Sequence, residues 1–287
     1  MRAEGAGFGP EWTLARPIRV EGVGLHTGAP CAITLGPARG GWWVGPAGGG
    51  AALPVGPGLV RGTDHATRLG GPGWELSTVE HLFGALHGDG LDAVELRFEG
   101  PELPALDGSA AGWIALFDAA GRVPSGAPAR RFCLREPVRV AEGPRAVAAW
   151  PAARLEIHCA VSFPPPIGEG QARFGGAPGH FRQNTAGART FGLASDAPAL
   201  RAAGLARGAG LHNTIVFDTV GPRRPGLRHR EEIAHHKLLD LLGDLALLGA
   251  PLLARVEALR PGHALTHAWR TAATATGEIA KTAVSFR

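Results

Sequence analysis

Five short stretches of the chain concentrate the residue types that do chemistry. GLHTG (24–28) holds His26 in a glycine-bounded turn, and TVEHL (78–82) sets Glu80 beside His81. RTFGLASD (189–196) contains Thr190, Phe191 and Asp196, and RPGHAL (260–265) contains His263. The fifth stretch, HHKLLDLLGD (235–244), has the most internal order. Its His236, Asp240 and Asp244 fall at i, i+4 and i+8, along one stripe of a helix. A histidine and an aspartate one turn apart on one face form half of a metal site. The same stripe is also the solvated polar face of a helix whose leucines are buried, and the helix by itself reads more readily that way.

Joined with His81, the stripe completes a His₂Asp set, three ligands that leave a fourth position of a zinc ion open for water. Zinc held in this way makes hydroxide available near neutral pH. Glu80 and His81 are adjacent, and neighbouring helical side chains diverge by roughly a quarter turn. Glu80 therefore reads as a general base over the water rather than as a ligand. His263 is suited to protonate a leaving amine, with Asp244 fixing its tautomer and favouring its charged form. The Thr190 hydroxyl is a candidate donor to a developing oxyanion. The whole is a metal-assisted amide hydrolase, provided that the stretches meet in space. Taken singly, each has an ordinary reading as a packed histidine or a polar helix face.

The elements that must position these residues are partly legible. The spacing predicts helices over 77–87, 109–120 and 235–249. The first has Ser77 or Thr78 as N-cap and ends at Gly88–Gly90, and the last stops at Gly249. Strand-like alternation marks 12–38, 91–100, 132–150, 153–163, 214–219 and 251–262. Helix, glycine stop and strand occur in that order in each half, a weak internal repeat. It fits an α+β fold of two similar domains, 1–125 and 126–270, each with helices packed on a sheet. The turn-rich segment 121–131 reads as the linker and 271–287 as a C-terminal tail.

Composition bounds the function class. A chain of 287 residues with 45% apolar and 19% charged residues is long and apolar enough to bury one large core or two ordinary ones. Cys31, Cys133 and Cys159 are far apart and lack CxxC spacing, so neither a disulfide framework nor a structural zinc finger is expected. The arginines are dispersed without interleaved aromatics, so the pI of about 9.6 does not indicate a nucleic-acid partner. Only Lys237 and Lys281 represent lysine, and Lys237 stands beside the candidate ligand His236. No charged segment followed by an apolar run opens the chain, and Asp240 and Asp244 interrupt its longest apolar region. The expectation is a cytoplasmic, monomeric protein with no transmembrane segment.

Several motifs in one order resemble a known family. They are GVGLHTG (22–28), HATRLG (65–70), STVEHLFGALHGDGLDAVELRFEGPELPALDGSAAGW (77–113), ARTFGL (188–193), GLHNTIVFD (210–218), GLRHREE (226–232), HHKLLDLLGDLALLG (235–249) and GHAL (262–265). Over about residues 12–270 the chain resembles the UDP-3-O-acyl-N-acetylglucosamine deacetylases of bacterial lipid A synthesis. The resemblance implies zinc-dependent removal of acetate from the 2-acetamido group of UDP-3-O-(3-hydroxyacyl)-N-acetylglucosamine, with the site between two domains of similar topology. Carried over by position, it implies His81, His236 and Asp240 as zinc ligands and Glu80 as base. It further implies His263 as acid with Asp244 as partner, Thr190 as oxyanion donor and Lys237 as a catalytic, diphosphate-facing cation. Phe191 and Asp196 fall at positions lining the sugar and nucleotide side, and an insert within about 155–190 would shape the acyl-chain passage.

The chain departs from that pattern at His212, at His235, where Arg is usual, and at Thr266 and His267, where the family has an Asn pair. None removes a ligand, base or acid. Two other readings stay open at this level: a zinc amidohydrolase acting on another N-acyl substrate, and an inactive homologue that binds the nucleotide sugar.

Overall fold

The computed structural model describes residues 8–281. Six α-helices are present among them: α1 (Glu80–Asp89), α2 (Ala111–Ala120), α3 (Pro178–Asn184), α4 (Ala197–Ala202), α5 (Glu232–Ala246) and α6 (His263–Thr276). With two larger sheets beside them, the architecture is α+β.

The first sheet runs in the order Ile18–Val23, Pro30–Pro37, Val94–Glu99, Trp42–Pro46, Leu53–Pro54. Its central strand buries Val94, Leu96 and Phe98 on alternate positions, as a half-covered sheet requires. In the second sheet Leu252–Leu259 is central, antiparallel to Arg145–Pro151 and parallel to both Glu156–Ser162 and Arg131–Leu134. Helices α1 and α5 pack on each other between these sheets. Trp42 of the first sheet meets Phe83 of α1 edge-on at 6.1 Å, while α5 lies on the strands Glu156–Ser162 and Glu169–Phe174. One hydrophobic core runs through both halves, from Ile33, Leu35 and Leu96 to Leu241, Leu245 and Val256.

Glycine sets how closely the two helices approach. A Cβ at Gly243 would lie 2.0 Å from the Glu80 carbonyl oxygen, and one at Gly84 would lie 2.7 Å from that of Leu239. No side chain larger than hydrogen fits either place, and the crossing brings Glu80 and His81 on α1 against the polar stripe of α5.

Several expectations change in detail. Neither Ser77 nor Thr78 caps α1. Val79 is the N-cap residue without a side-chain cap bond, and Thr78 sits at φ 57° with its hydroxyl donating to the buried Glu102 carboxylate at 2.7 Å. A buried carboxylate outcompetes the helix end for that hydroxyl. The end of α1 at Gly90 follows expectation, with φ 73° in the left-handed region. Helix α5 closes at Ala246, three residues before Gly249. Segment 121–131 is no free linker: Arg122–Pro128 is a strand antiparallel to Pro10–Leu14, a two-stranded ribbon whose open edges tolerate its prolines. The tail is structured as far as it is described. Helix α6 runs to Thr276 and Gly277–Ala280 pairs with Arg131–Leu134, while 282–287 lie outside the described residues. The cysteines are free and buried, in line with expectation. No helix among the described residues is long and apolar enough to cross a membrane.

Candidate active site

The polar stripe of α5 is not solvated. Glu80, His81, His236, Asp240 and Asp244 are between 3% and 7% exposed, which removes the reading as an outer polar face. His81 from α1 and His236 and Asp240 from α5 present ligand-type atoms that all lie within 4.8 Å of one another. Both imidazole Nε2 atoms face the same carboxylate oxygen, Asp240 Oδ1, at 3.5 Å from His81 and 3.4 Å from His236. The rings stand edge-to-face at 4.9 Å.

These residues fit a metal ion. Asp240 Oδ1 is buried and accepts no hydrogen bond, while Oδ2 is held by the Lys237 ammonium at 2.7 Å. Burial by itself would raise the Asp240 carboxyl. The neighbouring His236 and Lys237 instead hold it well below the usual carboxylate range, so it is ionised. A buried anionic oxygen without a donor is costly, and a cation relieves that cost. His236 Nδ1 donates to the Ala188 carbonyl at 3.1 Å, which fixes the tautomer with the Nε2 lone pair free. Burial pushes that imidazole down to about 4, so it is neutral and able to ligate. The Ala188 carbonyl is itself steadied by a buried ion pair, Arg189 with Glu232 at 2.8 Å, at the start of α5.

Around the cluster lies a cavity of about 140 Å³ lined by Glu80, Thr190, Phe191, Lys237, His263 and the two histidines His26 and His65, besides the cluster itself. Burial raises the Glu80 carboxyl above its ordinary value, partly offset by His263 and His81. Its Oε2 accepts the Thr67 amide at 3.1 Å. His263 opens α6, and its Nδ1 donates to Asp244 Oδ2 at 2.8 Å. Burial opposes the charged ring, yet the Asp244 carboxylate outweighs it and lifts the imidazole to about 9. For Lys237 burial likewise opposes charge and Asp240 overrides it, so the ammonium persists. Phe191 stands edge-on to His236 at 6.0 Å.

The spatial meeting that the five stretches require is therefore present for His26, Glu80, His81, Thr190, Phe191, His236, Lys237, Asp240, Asp244 and His263. Asp196 is the exception. It is exposed at the start of α4, where its Oδ1 accepts the Ser195 hydroxyl, and it does not line the cavity. His235 faces away from the cluster, with Nδ1 3.1 Å from the Thr185 hydroxyl and its ring 5.3 Å from that of His229. Thr266 and His267 bond within α6, to the Gly262 carbonyl and to Arg270. His212 is exposed.

The model of the family described as UDP-3-O-acyl N-acetylglycosamine deacetylase matches residues 11–273. The chain belongs to this deacetylase family. A deacetylase of Myxococcus xanthus is 40% identical over 263 residues, covering 89% of this chain and 83% of the relative. One of Thermosynechococcus vestitus is 41% identical over 258 residues (88% and 90%), and one of Wolinella succinogenes 35% identical over 259 residues (89% and 87%). All three are named UDP-3-O-acyl-N-acetylglucosamine deacetylase. The resemblance seen in the motifs thus extends over nearly the whole deacetylase chain.

Two structural residues of this family member lie within the resembling motifs, but the sequence assigned them no role. Glu102 is fully buried and accepts from the amides of His26 and Thr27 and from the hydroxyls of Thr27 and Thr78, tying the GLHTG turn to the start of α1. Thr67 bonds both Glu80 and, 177 residues further along the chain from itself, Asp244. Neither belongs to a periodic pattern or a recognisable pair, because both act on partners distant in sequence.

Proposed function

We propose that the protein, a cytoplasmic monomer of two domains (1–125 and 126–270), hydrolyses the 2-acetamido group of UDP-3-O-(3-hydroxyacyl)-N-acetylglucosamine, releasing acetate in lipid A biosynthesis, with zinc as its metal. The observation that carries this reading is one cavity that joins a buried His₂Asp cluster to a carboxylate base and a histidine–aspartate pair, in a chain matching deacetylases along its length.

His81, His236 and Asp240 hold the metal, and Glu80, next to a ligand but outside the cluster, is the base. A zinc ion there supplies Lewis acidity, polarising the amide carbonyl and acidifying water. Glu80 takes the proton of the attacking water; its raised carboxyl is better matched to that task near neutral pH than an ordinary one. His263 begins as the imidazolium and gives its Nε2 proton to the amine nitrogen as the C–N bond breaks, while Asp244 on Nδ1 holds the ring's orientation. The Thr190 hydroxyl, with no protein partner among the described residues, donates to the oxygen on which charge develops. Lys237, steadied by Asp240, adds positive charge toward the substrate.

The substrate's remaining parts are assigned by position. Phe191 faces the sugar and Asp196, beyond the cavity, the nucleotide side. The acyl chain follows the apolar patch that Phe191 shares with Phe163, Ile167, Leu193, Ile215 and Phe217, of which Phe163 and Ile167 come from within 155–190.

The test is acetate release from UDP-3-O-acyl-N-acetylglucosamine by protein as purified, after chelation, and with zinc restored. Activity lost to the chelator and regained with zinc is expected, and chelator-proof activity would overturn the metal reading. Equal turnover of an acetamido sugar lacking the acyl chain would favour a different N-acyl substrate.

The rate is expected to have a basic limb. The acid form of His263 is present below its folded-state value of about 9, so turnover falls as pH rises through that value. In Asp244→Asn the charge that lifts the ring is gone and burial pulls it down, so the limb moves toward or below neutrality. A kcat–pH profile whose basic limb stays in place in Asp244→Asn would remove His263 as the acid.

A further inference from the structure

We infer that Thr67 is a positioning residue that locks the base and the acid pair into one geometry, an inference that rests on the roles proposed above for Glu80, Asp244 and His263. All three polar groups of Thr67 are committed. Its amide donates to Glu80 Oε2 at 3.1 Å, its carbonyl accepts the Val79 amide at the start of α1 at 3.4 Å, and its hydroxyl donates to Asp244 Oδ1 at 2.6 Å. The other oxygen of that carboxylate accepts from His263 Nδ1 at 2.8 Å, and Nδ1 lies 3.2 Å from the Thr67 hydroxyl oxygen.

A carboxylate is planar, so holding Oδ1 on Thr67 sets the direction in which Oδ2 meets the imidazole. The imidazole in turn aims Nε2 into the cavity. At 1% exposure Thr67 admits no bulk water to replace the hydroxyl. Without it, Oδ1 is a buried acceptor without its donor, and the carboxylate turns to share Nδ1–H between both oxygens, rotating the ring off its aim. The strand that follows, Arg68–Gly71, pairs with Trp74–Leu76 and fixes the backbone from which these contacts are made. Thr67 thus couples elements of the two halves at the point where proton transfers must be in register.

The experiment is a double-mutant cycle on the metal-loaded full chain, reading kcat and KM for acetate release in Thr67→Val, Thr67→Ser, Asp244→Asn and the Thr67→Val/Asp244→Asn pair. Thr67→Val is expected to lower kcat about tenfold or more with KM little changed, part of the factor of about 10²–10⁴ that a positioned acid–base group supplies. Thr67→Ser, which keeps the hydroxyl, recovers most of the rate. In the Asp244→Asn background, Thr67→Val has little further effect, because contacting residues that act through one another are not additive. A full, independent loss in that background, or no rescue by serine, would mean that Thr67 only fills space and would overturn the inference. If Asp244→Asn lowers kcat and Thr67→Val does not, the inference fails alone. If Asp244→Asn leaves kcat intact, the acid-pair reading fails and this inference with it. Should Thr67→Val not fold, Thr67→Ala against Thr67→Ser isolates the same hydroxyl.

Discussion

Glu80→Ala is expected to keep its metal and lose most of its turnover. Glu80 is adjacent to the ligand His81, yet its Oε2 is taken by the Thr67 amide, and it is not part of the cluster formed by His81, His236 and Asp240. Removing it leaves three ligand atoms in place and deletes the only carboxylate outside that cluster that lines the cavity among the described residues. The loss of a positioned base corresponds to about 10²–10⁴-fold in kcat. Metal content per chain, measured beside kcat, checks both halves of the expectation. Near-normal turnover would end the assignment of Glu80 as base, and loss of metal with loss of rate would make it a ligand.

The second large effect separates two adjacent histidines. His236→Ala is expected to abolish stoichiometric zinc binding and, with it, activity, whereas His235→Ala keeps both. Their difference is geometric. The His236 Nε2 lies 3.4 Å from Asp240 Oδ1, and its Nδ1 is anchored on the Ala188 carbonyl. One residue earlier the ring swings toward Thr185 and His229. Equilibrium dialysis against zinc, with acetate release in parallel, reads the two variants. Metal loss in His235→Ala with retention in His236→Ala would put the ligand register off by one. Near-neutral behaviour of His235→Ala also tests the departure from the arginine usual at that position.

The sequence alone determined what depends on local periodicity. A helical repeat of 3.6 residues puts His236, Asp240 and Asp244 on one stripe whatever packs against it, and the same geometry turns His235 aside and separates Glu80 from His81. Alternation in VELRFE and LLARVEAL likewise reported strands with one buried face before any partner was known. The motifs in series named the family.

Tertiary structure decided everything that joins residues far apart in the chain. The stripe of α5 by itself reads more readily as a wet face until α1 covers it, and α1 comes that close only because Gly84 and Gly243 carry no side chain at the crossing. The Thr78 hydroxyl, a local cap by sequence, is claimed by Glu102, twenty-four residues on. Asp196, assigned to the site by position, stands exposed at the start of α4, past Thr190 and Phe191, where the chain has already left the cavity. Thr67 lies within the motif HATRLG, yet nothing in that motif assigns it a role, since its significance lies in one hydroxyl reaching Asp244 across 177 residues. Periodicity is a property of neighbours along the chain, whereas the meeting of donor and acceptor across the core is set by how the helices and sheets pack.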